Sequence, residues 1–282
     1  MKVGFLYSII RPEEKLLLQE LRKRNVEVVK IDDGSEFFDI SKNNFKIDVL
    51  LERSVSYSRG LYISKIFEGY GIPVVNRSAV SENCGDKFVT SRILTENKIP
   101  TPKVIMAFTP ETALEAVEKM GYPCVIKPVV GSWARLVSKI TDRHSAEAVI
   151  EHKKVLGGVQ HSVFYIQEYV EKPGRDIRAF VVDGKTICAI YRSSEHWITN
   201  TARGGKASNC PVTKELDEIC RKAAKAVGGG ILAIDLFETK KGLVVNEVNH
   251  TMEFRNSITA TGVNIPEKMI DYVLKVAKNG KD

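Results

Sequence analysis

Cysteines are few and show no pairing pattern. Cys84, Cys124, Cys188, Cys210 and Cys220 make an odd number with no C-x-x-C spacing, which argues against a disulfide framework or a zinc knuckle and leads us to expect a reducing cytoplasm. Long apolar runs are missing as well. No stretch approaches the roughly 18 apolar residues of a membrane span, and the opening run Val3 to Ile10 meets Arg11 after one strand's length and has no cleavage site. A membrane is therefore not an expected partner. The sequence also lacks internal repeats, low-complexity segments and any Ser/His/Asp or Cys/His arrangement; its five histidines are dispersed, and a lone histidine is more often a packing residue than a catalyst.

What is present is ordinary globular composition: 282 residues, 43% hydrophobic and 27% charged, enough for one large domain or two compact ones at about 150 residues each. The formal charge of +7 suits an anionic partner such as ATP, a carboxylate or an acidic protein. It is spread thinly, and without a basic helix or an RNP-type aromatic signature nucleic acid is not expected.

The first 80 or so residues alternate β-branched runs with helical patterns, the sequence form of parallel βαβ units. KVGFLYSII, VEVVKI, DVLLE and IPVVN read as strands, and GLYISKIFEGY as a helix. From Gly85 a second module follows: helix DKFVTSRILTENK, a break at Pro100 and Pro102, strand KVIMAF, helix ETALEAVEKM, and strand PCVIKPV running into a Gly-Ser-Trp loop. Beyond Phe164, the strands FYIQEYV, IRAFVVD, TICAIYR, ILAIDLFE and LVVNEV, with helices near Lys214 to Val227 and Pro266 to Lys278, predict an antiparallel sheet flanked by helices. Gly228 to Gly230 reads as a helix stop. The class is α/β (α+β), divided as 1–84, 85–165 and 166–282.

Three oxygen-bearing side chains stand in otherwise apolar strands: Asp235, Glu247 and Asn249. Period two puts Glu247 and Asn249 on one face, and a hairpin turn at Lys240, Lys241 and Gly242 lets Asp235 face them. Two carboxylates and an amide are hard donors suited to Mg²⁺; solvated strand polars are the bland alternative for any one of them alone. Lys127, in the apolar VIKPV, calls for an anionic partner or a shifted pKa. The Gly131 to Ala134 turn after it offers backbone N–H groups to phosphate, or else is an ordinary hairpin turn. Lys87 reads equally well as an exposed first-turn lysine. The segment IQEYVEKPGRDIR, with Glu168, Asp176 and Arg178, suits an interdomain hinge reading adenine and ribose, or a charged hairpin. Arg192 and the basic loop holding Asn200 and Arg203 suit forked binding of carboxylate or phosphate, or a surface connection.

In order along the chain, CGDK, VIKP-x-x-GSW, IQEYVEKPGRDIR, NTARGG, IDLFE, NEVNHTMEF and TGVNIP resemble the ATP-grasp ligases. Within them the RimK-type branch is closest, and within that branch the ligases that join α-aminoadipate to a LysW-type amino-group carrier in lysine biosynthesis. The resemblance covers nearly the whole chain. It implies an ATP-grasp fold: a doubly wound parallel-sheet domain followed by two α+β subdomains clasping ATP. It further implies that Lys87, Lys127, Arg178 and Asn200 contact ATP; that Gly131, Ser132, Trp133, Ala134, Arg135, Leu136 and Val137 cover its phosphates; that Gln167, Glu168, Tyr169 and Val170 meet adenine; and that Asp176 holds ribose. Asp235, Glu247 and Asn249 match the magnesium ligands, for two ions. Arg192, Ala202, Arg203, Gly204 and Gly205 fall at the substrate, with Arg203 the catalytic candidate for oxyanion charge. So do Glu253, Phe254, Arg255, Asn256 and Ser257; the Asn256-Ser257 pair goes with α-aminoadipate, where glutamate-using relatives have Gly-Phe. Ala134 departs from a common glycine and Asn264 from a common aspartate. The implied partners are α-aminoadipate, an acidic carrier protein and further copies of the chain as a homodimer or homotetramer. Glutamate ligation to the carrier or to a protein tail, and a non-catalytic ATP-binding regulator, are the rival readings. Alanine at Asp235 or Glu247 is expected to abolish ligation with the fold intact.

Overall fold

Three β-branched runs near the start cannot pair as hairpins, because each is followed by a helix or a long connection. They form a parallel sheet instead, as crossover connections require. In the computed structural model, which describes residues 1–131, 133–199 and 204–280, β1 (Lys2–Tyr7) lies between β2 (Glu27–Asp32) and β3 (Val49–Arg53), and the two-residue β4 (Val74–Val75) closes the order β2-β1-β3-β4. The helices α1 (Pro12–Lys23) and α2 (Tyr57–Gly69) supply the crossovers. Pro12 opens α1, where its missing N–H costs nothing, and Glu14 reaches back to accept from the Arg11 N–H at 3.1 Å.

Two short helices, α3 (Ser78–Gly85) and α4 (Lys87–Glu96), lead to an antiparallel sheet of order β5-β8-β6-β7. Its strands are β5 (Val104–Ala107), β6 (Cys124–Lys127), β7 (Ser138–Ile140) and β8 (Phe164–Glu168). The helices α5 (Pro110–Met120) and α6 (Arg143–Leu156) cover it, burying Ala113, Val117, Ile126, Ile140, Ala146, Ile150 and Phe164.

The third sheet is antiparallel with order β11-β10-β9-β12-β13: β9 (Arg175–Val182), β10 (Lys185–Ser193), β11 (Lys206–Cys210), β12 (Ile231–Thr239) and β13 (Gly242–Asn249). Period two sorts its side chains. Ile177, Ala179, Val181, Leu232, Ile234 and Leu236 face α7 (Lys214–Val227), α3 and α4. Phe180, Val182, Cys188, Ile190, Ile231 and Ala233 face the amino-terminal domain and the carboxy-terminal helix α9 (Ile265–Asn279). Asn76 binds the two parts together. Its amide donates to the carbonyls of Ile231 at 2.8 Å and His250 at 2.7 Å and accepts from the Ile231 N–H at 2.7 Å. Gly230 has φ +100° and a Cβ there would meet Asn76 Oδ1 at 2.1 Å, so only glycine fits.

Two expected boundaries shift. The division at 165 cuts β8, which pairs with β5 and β6 and so belongs whole to the middle sheet. The helix α4, expected in the middle unit, packs Ile93 and Leu94 against the carboxy-terminal sheet. The sequence reading also missed α3, β7, α6, β11 and α8 (Arg255–Thr261). The helix α6 has a clear start, with Asp142 accepting from the Ser145 N–H at 2.8 Å, but it buries only Ala146 and Ile150, too thin an apolar stripe to stand out.

Candidate functional site

The apolar face that packs on the amino-terminal domain changes character partway along each strand. On β9 the same face carries Phe180 and Val182 in the core, then Arg178 and Asp176 beyond it; on β10, Ile190 gives way to Arg192, and on β12, Ala233 to Asp235. Where the core ends, a cleft of about 420 Å³ opens between this sheet and the middle one. Arg11, Ser54 and Tyr57 of the amino-terminal domain line one end of it.

Its floor is a network of buried charges. Arg178, opposite Asp235 in register, donates to both carboxylate oxygens at 2.7 and 2.9 Å, and Arg192 reaches the same carboxylate at 3.2 Å. Burial works against the Asp235 charge, but Arg178 and Arg192 outweigh it and hold its pKa down to about 2. Arg192 also donates to Asp176 at 2.6 Å, and Thr199 donates to the other Asp176 oxygen. Burial likewise opposes the Arg192 charge, and Asp235 and Asp176 more than offset it. Among the described residues Arg192 Nη1, Asn249 Nδ2 and Ser54 Oγ are buried without partners, and all three residues line this cleft. Buried donors left open in this way suit a bound ligand.

Lys127 ends β6 and stands on the facing wall. Its ammonium donates to Gln167 at 2.9 Å and to Asn246 at 3.1 Å. Burial pulls its pKa down to about 8, against the nearby Glu247 carboxylate. Lys87 opens α4, donates to the Gly131 carbonyl at 2.7 Å and lies 3.4 Å from Glu247.

The loop after β6 is built from left-handed backbone. Trp133, Ala134 and Leu136 have φ of 57°, 50° and 56°, conformations that cost side-chain-bearing residues about 1 to 3 kcal/mol each and cluster at ligand clamps. Backbone of this kind turns successive N–H groups to one side and makes an anion cradle. Trp133 Nε1 donates to Glu253 at 3.2 Å, and Arg11 donates to the same oxygen at 3.2 Å. Arg135 stacks over the Trp133 ring at 4.8 Å. Beyond β8, Lys139 lies 4.0 Å over the Tyr169 ring, and Trp197 packs 6.1 Å from it with the two rings tilted 56°, an apolar corner beside the hinge.

Of the residues expected at ATP, the cleft brings together Lys87, Lys127, Gly131, Trp133, Ala134, Arg135, Val137, Gln167, Glu168, Tyr169, Val170, Asp176 and Arg178. Leu136 points away, 69% exposed. Ser132, Asn200, Ala202 and Arg203 lie outside the described residues. Asp176 lines the cleft, and its oxygens accept from Arg192 and Thr199, so it also anchors Arg192. Of the expected substrate residues, Arg192 and Glu253 line the cleft; Gly204 and Gly205 do not. Phe254 is a core residue, 1% exposed, because the chain turns there to pack α8 against β10 and β11. Ser257 is buried, while Arg255 and Asn256 are exposed on α8, and none of the three lines the cleft.

Asp235 lies opposite Glu247 in register, with Asn249 two residues on. Among the described residues no three His, Cys, Asp or Glu side chains converge as a metal cluster; the third donor is an amide. That set of hard oxygens fits Mg²⁺. Asp235 would have to yield part of its bond to Arg178. Sequence reasoning missed Arg11, Lys172, Thr199, Phe237 and Asn246. Phe237 was within reach, two residues beyond Asp235 on the same face.

A RimK-like ATP-grasp domain model matches residues 84–273, and a LysX preATP-grasp domain model matches 3–83. The chain is 38% identical to the alpha-aminoadipate–LysW ligase LysX of Saccharolobus solfataricus, over 95% of this chain and 99% of that protein. It is 36% identical to the glutamate–LysW ligase ArgX of Sulfurisphaera tokodaii, over 97% and 98%. A RimK domain ATP-grasp protein from Sphaerobacter thermophilus shares the fold, with a TM-score of 0.83 at 24% identity over 97% of this chain and 100% of that one. Fold and cleft are those of an ATP-grasp ligase, an enzyme that uses ATP to make an amide bond. The chain belongs to the RimK-like ATP-grasp family.

Proposed function

We propose that this protein joins the α-amino group of α-aminoadipate to the side-chain carboxylate of the C-terminal glutamate of an acidic LysW-type carrier protein, in lysine biosynthesis. The observation that carries the carrier reading is the near full-length similarity to two kinds of LysW ligase. Two points of identity do not separate them, so the choice of α-aminoadipate rests on Asn256-Ser257, at the start of α8 just past the cleft's rim at Glu253. Glutamate, alone or as a second substrate, is the other reading, and the ArgX similarity favours it. No helix among the described residues is long and apolar enough to cross a membrane; cytoplasmic location and assembly as a dimer or tetramer belong to the same proposal.

In this reading Lys127, Lys87 and the 131–137 loop hold the triphosphate, and Tyr169 and the β8 hinge hold the base. Glu247 and Asn249, joined by Asp235, would hold Mg²⁺, in two ions by family resemblance; when bound, the metal neutralises phosphate charge and draws electrons from the reacting phosphorus. The carrier's carboxylate attacks the γ-phosphorus, the bond to the β-phosphate breaks and ADP leaves, giving an acyl phosphate; the amino group in its neutral form then attacks that carbonyl, gives up a proton and expels phosphate to leave the amide. Arg192, fixed by two aspartates, presents Nη1 to carboxylate or oxyanion charge. Arg203 keeps its proposed oxyanion role.

Intact mass of a LysW-type carrier, after incubation with the protein, ATP, Mg²⁺ and either amino acid, tests this. A shift with α-aminoadipate alone supports the reading; a shift with glutamate alone overturns the substrate choice. No shift with either overturns the carrier.

A further inference from the structure

The register of β13 against β12 steps from Glu247 opposite Asp235 to Val245 opposite Leu236, so Asn246 has no partner on β12. This is a β-bulge, and it places two consecutive residues, Asn246 and Glu247, on the cleft, which a regular strand forbids. The extra residue reaches across to the other sheet. Asn246 Oδ1 accepts from Lys127 Nζ at 3.1 Å and from Gln167 Nε2 at 3.2 Å, while Gln167 Oε1 accepts from Lys127 at 2.9 Å. The three side chains close a ring of hydrogen bonds between the two halves of the clasp.

The chemistry of that ring is selective. An ammonium has three protons to donate, and here two go to neutral amide oxygens. Among the described residues Lys127 makes no direct ion pair, although it is only 9% exposed. A buried lysine is ordinarily paired with a carboxylate. Amides in that place fix the group's position and leave its charge uncommitted.

We infer that Asn246 is a positioning residue: with Gln167 it holds Lys127 by two protons and reserves the third, with the positive charge, for a phosphate oxygen of the bound nucleotide. This rests on the reading of Lys127 as a nucleotide ligand. It extends that reading to a residue whose only distinction in the sequence is that it precedes Glu247.

The test is calorimetric binding of ATP and of adenosine to the full-length protein, wild type beside Asn246→Asp and Asn246→Ser, with and without Mg²⁺. Asn246→Asp keeps the shape and adds a carboxylate against the ammonium, so ATP should bind about tenfold more weakly or worse. Asn246→Ser loses one acceptor and should weaken ATP by about threefold. Adenosine, which has no phosphate, should bind all three proteins alike. In turnover, the ATP KM should rise in Asn246→Asp while kcat changes far less. Gln167→Glu places a carboxylate at the other acceptor and should repeat the loss of ATP affinity, covering the case where Asn246→Asp does not fold; the adenosine comparison is read in the Asn246 variants, because Gln167 stands at the proposed base site. ATP affinity in Asn246→Asp equal to wild type, or equal losses for ATP and adenosine, would overturn the inference alone. Wild-type protein that binds no ATP at all would overturn the nucleotide reading beneath it and the inference with it.

Discussion

The two sides of the cleft are built on opposite plans. The floor, on β9, β10 and β12, is a set of cross-strand ion pairs in register, with Asp235 and Arg192 each at most 4% exposed. The cover, the loop after β6, has left-handed backbone at Trp133, Ala134 and Leu136 and is tied down by Lys87 at the Gly131 carbonyl and by Trp133 at Glu253. In the floor, charges are fixed before any ligand arrives, which is the arrangement that stabilises developing charge without reorganisation. In the cover, the groups that would meet phosphate are N–H dipoles, and their hold on the rest of the molecule is slight. Fold stability and ligand grip are therefore expected to separate under mutation.

The sharpest test of that separation is Asp235→Ala. It leaves Arg178 without its carboxylate and Arg192 with Asp176 alone, so it should lower stability by about 3 to 5 kcal/mol as well as stopping ligation, measured by denaturant melts. The expectation from sequence is a folded variant, and the bonds of Arg178 and Arg192 to the carboxylate make it a less stable one. The ionised form is favoured in the fold, so its stabilisation is fully present above the unfolded value of 3.8 and is lost as pH falls through about 2.

Glu247→Gln, one strand over, is the contrast. Glu247 is only partly buried and has Lys87 as its ion-pair partner, so kcat should fall about a hundredfold or more with the melting temperature almost unmoved. A melting temperature that drops as far as in Asp235→Ala would erase the distinction between them.

The pH profile comes next. Lys127, pulled down to about 8, loses its charge in the free enzyme as pH rises past that value. The kcat/KM for ATP should decline there, while bound phosphate lifts the Lys127 pKa and moves the decline in kcat to higher pH. Lys127→Met should lose the limb along with most of the affinity.

On the cover, Trp133→Phe removes one N–H bond to Glu253, and the ATP KM should rise by about three- to fivefold with unchanged stability. The smallest effect is expected from Ala134→Gly. Relief of the left-handed strain is offset by the freer unfolded chain, leaving a net change within about 0.5 kcal/mol by thermal melt.

Much of the floor was readable from period two. The KKG hairpin and the spacing of Glu247 and Asn249 lead to Asp235 opposite Glu247, as the register has it. The alternation of Asp176, Arg178, Phe180 and Val182 holds the passage from cleft to core in plain view. Asn246 was not readable, because a bulge suspends the rule that would have turned it away. Phe254 misled for a different reason: a motif match cannot tell a residue that touches ligand from one that anchors the turn beside it. The boundary at 165 failed because β8 joins the middle sheet through partners 38 to 63 residues upstream.

All five cysteines are buried, and they are distributed among the packed layers: Cys188 under the amino-terminal domain, Cys84 of α3, Cys210 of β11 and Cys220 of α7 in the layer between the carboxy-terminal sheet and its helices, and Cys124 in the middle sheet. Each thiol reacts with a labelling reagent only when its own layer opens. Single-cysteine versions would thus act as clocks for separate regions of one chain, timing whether the middle sheet lifts from the clasp before the rest comes apart.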